Sequence, residues 1–376
     1  MNFGFDEDQK SLGDTIAKLL TDYPALTGPD LVQPHNDEVW RGIAELGLFA
    51  LLVPDRFDGV GLDLVDVALA VESLGAGLAP LSVVSTLAAT DLLVRHGSEG
   101  QQRAFLPGIA AGTIKIATAV LESDQGYDPL DVGTTLSNGT INGTKILVGD
   151  AADAQAYLVV VRDKGKPTVV LIDRDIAGVT VRAHDDIDAS AGLCAITFSN
   201  VSVTDDRIIG IAAPERAVGR LFDCSAAIHA GLLIGIAGRM LAASVDYAKT
   251  RVQFGQPIGA FQAIKHRCAD MAVAVEAGRS VAYYAFWAVS EDAPDRPRAV
   301  SMAKAYCGDV ARDVCNESIQ VHGGMGFTWE LGLHRFLRRA KVLGHAFGDA
   351  RFHNERVLVE TLAGTHTSAD QQLDAA

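Results

Sequence analysis

The chain has 376 residues, of which 48% are hydrophobic and 21% charged, and its formal net charge is −15. This length suits two or three packed modules, and this composition is typical of a folded protein rather than a disordered one. The acidic balance argues against a nucleic-acid partner, which usually demands a basic surface. No apolar run approaches the roughly eighteen residues that span a bilayer, and the acidic first residues are unlike a signal peptide, so we expect a cytoplasmic protein without membrane insertion.

The five cysteines are scattered along the chain and include no C-x-x-C pair. They are Cys194, Cys224, Cys268, Cys307 and Cys315. We therefore expect buried thiols rather than disulfides, and no metal site.

Residues 1–113 predict an N-terminal all-α domain. Apolar residues recur three and four positions apart at Leu12, Ile16, Leu19 and Leu20, as on one face of a helix. Two glycines and a proline between 54 and 61 predict an irregular loop. The remaining helices are expected over 37–47, 63–74, 87–96 and 102–111.

Residues 114–209 predict a middle β domain. Runs of strand length, rich in β-branched residues, occur at 158–161, 168–172 and 195–198. Asn138-Gly139 is a hairpin signal, and Asn142-Gly143 directly after it leaves the position of the turn open. Because no helices separate these strands, we expect an antiparallel sandwich or barrel rather than a Rossmann sheet.

Residues 210–364 predict a C-terminal antiparallel helical bundle, which completes an α+β multidomain fold. Long apolar-periodic segments joined by short turns run over 215–251, 261–290, 297–321, 333–343 and 350–362. The polar tail, residues 365–376, is expected to be disordered. The densest basic cluster in this domain comprises Arg335, Arg338, Arg339 and Lys341. It could attract an anionic ligand or lie on a solvated helix face.

The stretch from Arg251 to Gln262 joins the first two helices of the bundle. Gly255 and Pro257 are expected to end the first helix there. Arg251 offers a charged fork for phosphate oxygens and Phe254 a flat apolar face, so together they could hold a pyrophosphate and a neighbouring planar group. A helix C-terminus with a basic residue favoured by the helix dipole is an equal alternative.

A glycine-rich segment, Gln320-Val321-His322-Gly323-Gly324-Met325-Gly326-Phe327, closes the third bundle helix. Its glycines leave backbone amides uncovered, so that a nucleotide can approach the main chain. Gln320 can supply a donor and an acceptor to a ribose or phosphate. Alone, such a segment is as typical of a helix cap.

The two segments together resemble the acyl-CoA dehydrogenase family, through the pattern Arg-x-x-Phe-Gly-x-x-Ile-x-x-Phe-Gln and the Gly-Gly-x-Gly loop about sixty residues later. The resemblance spans nearly the whole chain. It implies non-covalent FAD, an acyl-CoA thioester substrate, an electron-transfer flavoprotein as electron acceptor, and a homo- or heterotetramer in which the nucleotide half of FAD reaches across a subunit interface. The implied FAD-binding residues are Arg251, Phe254, Gln262, Gln320, Gly323 and Gly324.

The chain departs from the family where the flavin ring is expected. In the segment 119–128, Glu122, Gly126 and Asp128 match the family, but Leu121 and Tyr127 replace a threonine and a serine. The segment 147–150, Leu-Val-Gly-Asp, replaces an aromatic-Ile-Thr-Asn pattern. We therefore expect fewer contacts to the ring than in other members.

The catalytic base of the family is also missing. The implied reaction removes the α-proton of a thioester with a carboxylate while a hydride leaves the β-carbon for the flavin. The family carries this glutamate either at the position of Phe347 or near that of Ser225. Three substitutes lie nearby, of which Asp349 is the best, followed by His345 and Asp223.

Some bacterial members resemble this case, because one subunit type supplies the base and the other helps to bind FAD. The chain is therefore predicted to be such a base-lacking subunit, in an enzyme acting on a branched, aromatic or steroid-side-chain thioester. Two alternatives are a homo-oligomer that uses Asp349 as base and a non-enzymatic nucleotide-binding or scaffold protein. A relative of flavin monooxygenases or nitroalkane oxidases is a third.

Overall fold

The computed structural model describes residues 4–23 and 36–373. Its N-terminal helices are α1 (Glu7–Thr21), α2 (Asn36–Glu45), α3 (Ala68–Ala76), α4 (Leu81–His96) and α5 (Glu99–Ala110). Capping boxes begin α1 at Asp6 and α5 at Ser98, where each side chain accepts the N–H of a glutamine three residues later. Helix α4 begins at Leu81 rather than at the predicted residue 87, directly after the extended Pro80.

The middle part of the chain forms one eight-stranded sheet. Its strands are β1 (Ile116–Ala119), β2 (Thr135–Ser137), β3 (Thr140–Val148), β4 (Ala156–Asp163), β5 (Lys166–Asp173), β6 (Val179–Ala183), β7 (Cys194–Ser202) and β8 (Ile208–Ile209). Their order is β6-β7-β3-β2-β4-β5-β8, with β1 also pairing with β4. The sheet is mostly antiparallel, as predicted, but β1 and β2 both run parallel to β4. The β2–β3 hairpin turns at Asn138 and Gly139, both of which have positive φ.

Strands β4 and β5 are buried on both faces, which explains why their sequences are continuous apolar runs without alternation. Leu158 and Val160 pack into the core shared with the helices, whereas Val159 and Val161 pack into a second core within the sheet domain. The sheet is therefore fixed to the helical parts through one face.

The C-terminal part forms the predicted helical bundle. Its elements are α6 (Pro214–Thr250), β9 (Val252–Gln253), β10 (Gln256–Pro257), α7 (Gln262–Ser290), α8 (Arg296–His322), α9 (Leu333–His345) and α10 (Ala350–Leu373). Helix α6 packs against α3, α4, α7, α8, α9 and β5. By length and hydropathy α6 could cross a membrane, but 94% of its apolar window is buried inside the protein, as in a core helix.

Two glycines allow α6 to approach the N-terminal helices closely. A Cβ on Gly235 would lie 1.9 Å from the carbonyl oxygen of Glu72, and one on Gly75 would lie 2.1 Å from that of Leu232. Any larger residue would force α3 and α6 apart. The backbone contact therefore sets the distance between the N- and C-terminal domains.

The structure continues α10 to Leu373. The expectation that residues 365–376 form a disordered tail stays a prediction. Residues 374–376 lie outside the described part of the chain.

Arg339 on α9 joins all three parts of the chain. Its guanidinium donates to the carboxylate of Asp188, to Ser190 Oγ at 3.0 Å and to the carbonyl oxygen of Ala79 at 3.0 Å. Both charged side chains are buried. Arg339 therefore neither lies on a solvated helix face nor is free to bind an anionic ligand. Both interpretations of the basic cluster are wrong for this residue.

Replacing Arg339 with methionine is expected to lower the free energy of unfolding by about 3–5 kcal/mol, because the change leaves Asp188 buried and unpaired. Urea unfolding of the purified protein measures the loss. As a matched control, Arg351→Met removes an exposed ion pair with Glu355 and is expected to cost no more than about 1 kcal/mol. Equal losses in the two variants would contradict the interdomain role of Arg339.

The same pair predicts a pH dependence. Burial alone would raise the pKa of Asp188, but Arg339 and Ser190 outweigh burial and leave the pKa below its ordinary value. The ionised pair therefore stabilises the fold fully above about pH 4, and this contribution is lost as the pH falls through the lower folded pKa. In Arg339→Met, the free energy of unfolding is expected to lack this dependence on acidic pH.

Candidate active site

A cavity of about 340 Å³ lies where the three parts of the chain meet. Its walls come from α4, from β1 and the loop 120–132, from the end of β3, from α6, and from α9 with the loop that follows it. Apolar side chains such as Leu81, Val120 and Phe222 make up most of this lining. A mostly apolar cavity with a few polar groups is typical of a small-molecule site.

The loop after α9 holds Phe347 in an unusual backbone conformation. Its φ is 54°, a left-handed value that costs a non-glycine residue of order 1–3 kcal/mol. Two buried side chains fix this loop: Lys304 Nζ donates to the carbonyl oxygens of Gly344 and Gly348 at 3.0 and 2.9 Å, and His353 Nε2 donates to that of Phe347 at 2.9 Å. The surrounding structure therefore maintains the strain.

Burial lowers the pKa of both Lys304 and His353. It lowers the pKa of Lys304 to about 7, and burial together with the charge of Lys304 lowers the pKa of His353 to about 3. His353 is consequently a neutral ring whose Nε2 carries the proton, because the carbonyl oxygen of Phe347 can only accept.

This conformation presents the side chain of Phe347 to the cavity. Its ring centroid lies 4.9 Å from that of His229 and 6.2 Å from that of Phe222. At the position where the resemblance implies a glutamate, the cavity therefore receives an aromatic ring instead of a proton acceptor.

The three substitute bases have different surroundings. Asp349 begins α10 as a cap, because its Oδ1 accepts the N–H of Phe352 at 2.9 Å, and it does not line the cavity. Asp223 is wholly buried and forms ion pairs with Arg296 and Arg356 at 2.9 and 2.7 Å. It is therefore not available as a base, which corrects its choice as a candidate. His345 alone lines the cavity, and its Nδ1 donates to the Lys341 carbonyl oxygen at 2.9 Å. A catalytic role for Asp349 stays a prediction.

The second family position for a carboxylate is also without one. Ser225 is buried on α6, and its Oγ has no hydrogen-bond partner within the part of the chain that the structure describes. One helical turn later, His229 donates from Nδ1 to the Ser225 carbonyl oxygen at 2.7 Å. This residue lines the cavity.

Glu122 lines the cavity but is committed to a salt bridge. It accepts from Lys145 Nζ at 2.6 Å and from the backbone N–H groups of Gly133 and Thr134 at 2.6 and 2.9 Å. Burial would raise the pKa of Glu122, but Lys145 and Thr134 hold it below its ordinary value, while burial lowers the pKa of Lys145 to about 8. The pair braces the cavity wall, so Glu122 is not a free base.

The segments expected to contact a flavin ring offer few polar groups. Leu121 and Tyr127 both line the cavity, in place of the threonine and the serine that the resemblance implies. Asp150 is buried and accepts the N–H of Ser82 at 2.7 Å, so it joins the middle domain to α4 rather than facing a ligand. That a flavin ring would have fewer contacts here stays a prediction.

The stretch after α6 is a β-hairpin rather than a simple helix end. The helix stops at Thr250, β9 pairs with β10, and the turn between them has positive φ at Phe254 and Gly255. The Phe254 side chain is 91% exposed, and the Arg251 guanidinium has no ion pair or hydrogen bond among the described residues. The prediction that Gly255 ends the helix is therefore wrong, since α6 stops five residues earlier, at Thr250.

The glycine-rich loop leaves main chain open at two of its three glycines. A Cβ on Gly323 or Gly324 would meet no atom within 4 Å, and Gly323 has φ 58° and ψ −135°, a combination that favours glycine. At Gly326, by contrast, a Cβ would lie 2.4 Å from the Ile319 carbonyl oxygen. Gly326 therefore serves packing, which corrects the expectation that it faces a nucleotide.

The ends of α6 and α8 hold the hairpin and the loop side by side. Tyr247 stacks on His322 with ring centroids 4.3 Å apart, and Ser244 Oγ donates to Ser318 Oγ at 2.8 Å. We call the predicted FAD-binding set the nucleotide surface; its members are Arg251, Phe254, Gln262, Gln320, Gly323 and Gly324. None of these described residues lines the cavity, so the protomer has two separate candidate sites.

The nucleotide surface suits the phosphate half of a dinucleotide. An unpaired guanidinium, open main chain at two glycines and an exposed aromatic face supply what an anionic pyrophosphate and an adjoining planar group require. The cavity suits a flavin ring less well, since hydrocarbon from Leu121 replaces an expected hydroxyl.

Sequence reasoning missed three buried groups that shape the cavity, namely His229, Lys304 and His353. Spacing could have indicated His229, because it follows Ser225 by four residues and so shares its helix face. No local sequence pattern indicated Lys304 or His353, because their hydrogen-bond partners lie more than forty residues away or in an irregular loop.

Comparison with known proteins finds matches along almost the whole chain. Residues 6–113, 117–201 and 216–359 match the models of the acyl-CoA dehydrogenase N-terminal, middle and C-terminal domains. The probable acyl-CoA dehydrogenase YngJ of Bacillus subtilis is 32% identical over an alignment that covers 91% of this chain and 95% of the relative.

Two solved structures show the same fold. Butyryl-CoA dehydrogenase from Megasphaera elsdenii has a TM-score of 0.86 at 25% identity and covers 96% of this chain and 100% of its own. A chain of the ChsE4-ChsE5 complex from Mycobacterium tuberculosis has a TM-score of 0.87 at 25% identity and covers 96% of this chain and 99% of its own.

Proposed function

The chain belongs to the acyl-CoA dehydrogenase family of oxidoreductases, and we propose that it acts as a subunit that completes the FAD site of a partner subunit carrying the catalytic glutamate. The observation that carries this proposal is Phe347. The strained, braced loop presents this side chain to the cavity at the position of the base, yet the side chain cannot accept a proton.

The nucleotide surface supports the second half of the proposal. Arg251 would pair with a phosphate, Gln320 would bond a ribose or phosphate oxygen, and open backbone at Gly323 would allow close approach. FAD, when bound, supplies the acceptor for the hydride that leaves the β-carbon of the thioester. Because these residues are exposed and lie outside the chain's own cavity, we propose that they bind the nucleotide half of a neighbouring subunit's FAD.

The chain's own cavity is, on this proposal, not catalytic. Leu121 lacks the hydroxyl that a flavin ring would use, Tyr127 carries its hydroxyl at the end of a larger ring than serine, and Glu122 is held in its salt bridge. An assembly of two different chains has a structural parallel in the ChsE4-ChsE5 complex.

Exposed apolar side chains near the nucleotide surface support an oligomer. Phe254, Phe327 and Trp329 are exposed to 91%, 80% and 48%. Exposed aromatic groups of this kind are typical of a protein interface. We further propose a heterotetramer, an electron-transfer flavoprotein as electron acceptor, a cytoplasmic location, and a branched, aromatic or steroid-side-chain acyl group.

Arg251→Ala is expected to weaken FAD binding by the assembled complex about tenfold to a hundredfold, because one charge-assisted hydrogen bond to phosphate is worth about 1.5–3 kcal/mol. Titration with FAD, followed by flavin fluorescence, measures the change. Arg351→Ala serves as the control, since this exposed arginine lies away from the nucleotide surface. Unchanged affinity in Arg251→Ala would sink the assignment of this surface.

The chain alone is expected to show little dehydrogenase activity, and activity is expected to appear with a glutamate-carrying family member. General-base assistance is worth about a hundredfold to ten-thousandfold, so a dye-reduction assay with a panel of CoA thioesters resolves the difference clearly. In the assembled complex Asp349→Asn is expected to leave turnover unchanged, because Asp349 caps α10.

Three results would overturn this proposal. Robust turnover by the chain alone that collapses in Asp349→Asn would establish Asp349 as the base of a homo-oligomeric enzyme. Robust turnover that survives this change would direct the search to His345, which lines the cavity. FAD binding without turnover in any combination would favour the non-enzymatic alternative.

A further inference from the structure

Among the polar groups on the cavity wall, His229 is a buried side chain that the proposed function does not use. His229 is only 6% exposed and lies on the cavity wall. Its Nδ1 lies 2.7 Å from the Ser225 carbonyl oxygen. Since a carbonyl can only accept, Nδ1 carries the proton and Nε2 of the neutral ring is left as an acceptor.

Nε2 has no hydrogen-bond partner in the described part of the chain. Its neighbour on the cavity wall is the ring of Phe347, at 4.9 Å between centroids, which cannot donate a hydrogen bond. An acceptor on the wall of a mostly apolar cavity gains a hydrogen bond from a ligand that carries a donor, so such a ligand would be favoured over one without.

The ring is suited to accept a hydrogen bond but not a proton. Burial and the charges of Lys304 and Arg339 lower the pKa of His229 to about 3. A second positive charge at this place would therefore be unfavourable, and a base with so low a pKa would contribute little to removing a proton. His229 consequently differs in kind from the glutamate that the family uses.

We propose that the cavity is a binding site for a small, mainly apolar molecule or group that carries one hydroxyl, and that His229 Nε2 accepts the hydrogen bond from this hydroxyl. The volume of about 340 Å³ and the apolar lining suit such a ligand. The loss of the base and of the ring-binding hydroxyls leaves the cavity free for it. This inference concerns a ligand other than FAD and the thioester of the partner's site.

Phenol and toluene test the proposal, because they have the same number of heavy atoms and similar shape but only phenol donates a hydrogen bond. Titration calorimetry with the full-length protein is expected to give an affinity for phenol about threefold to tenfold higher than for toluene, as one net hydrogen bond allows. In His229→Phe the preference is expected to vanish while toluene still binds. Toluene binding thus confirms that the variant retains its cavity.

A second measurement does not depend on the variant. In wild-type protein labelled with ¹⁵N-histidine, phenol is expected to shift one unprotonated Nε2 resonance in the direction of a hydrogen-bonded nitrogen. Toluene is expected to cause no such shift. Equal affinities for the two probes, or no binding of either, would overturn the proposal. So would displacement of phenol by FAD, since that result would assign the cavity to the flavin ring. These binding measurements do not depend on dehydrogenase activity. If the complex proved inactive, the proposed function would fail while the binding proposal could still be tested.

Discussion

The arrangement of the three domains depends on the buried guanidinium of Arg339. It donates to Asp188 and Ser190 of the middle domain and to the Ala79 carbonyl of the N-terminal domain, while its own helix belongs to the C-terminal bundle. The cavity takes walls from these same three parts. A buried ion pair is strongly unfavourable once one partner is lost, so this contact ties the shape of the cavity to the correct docking of the domains.

The loop at Phe347 shows that the geometry of a catalytic position can persist without its chemistry. Lys304 and His353 bind two carbonyl oxygens of this loop and one at the end of α9, and Phe347 keeps a left-handed backbone conformation. The nucleotide surface, by contrast, exposes the Arg251 guanidinium and open main chain at Gly323 and Gly324, which are the groups that we propose for phosphate binding. This difference separates the two sites of the protomer and is the basis for assigning them different roles.

The sequence predicted the domain types, most helices and a hairpin at one of two neighbouring Asn-Gly pairs, because each depends on local pattern. It could not predict that Arg339 is buried or that Asp223 is locked by Arg296 and Arg356, since such partners are distant in sequence. Gly326 was misassigned for a related reason. Only the backbone of Ile319 shows that its lack of a Cβ serves packing.

The central claim is that this chain lends its nucleotide surface to a partner's flavin while its own cavity holds none. The flavin content of the purified complex tests this claim most directly, through flavin absorbance set against the quantity of each chain. The account predicts one FAD for every two chains, all of it released when the partner is removed. One FAD for every chain, or FAD retained in the cavity of this chain alone, would contradict it.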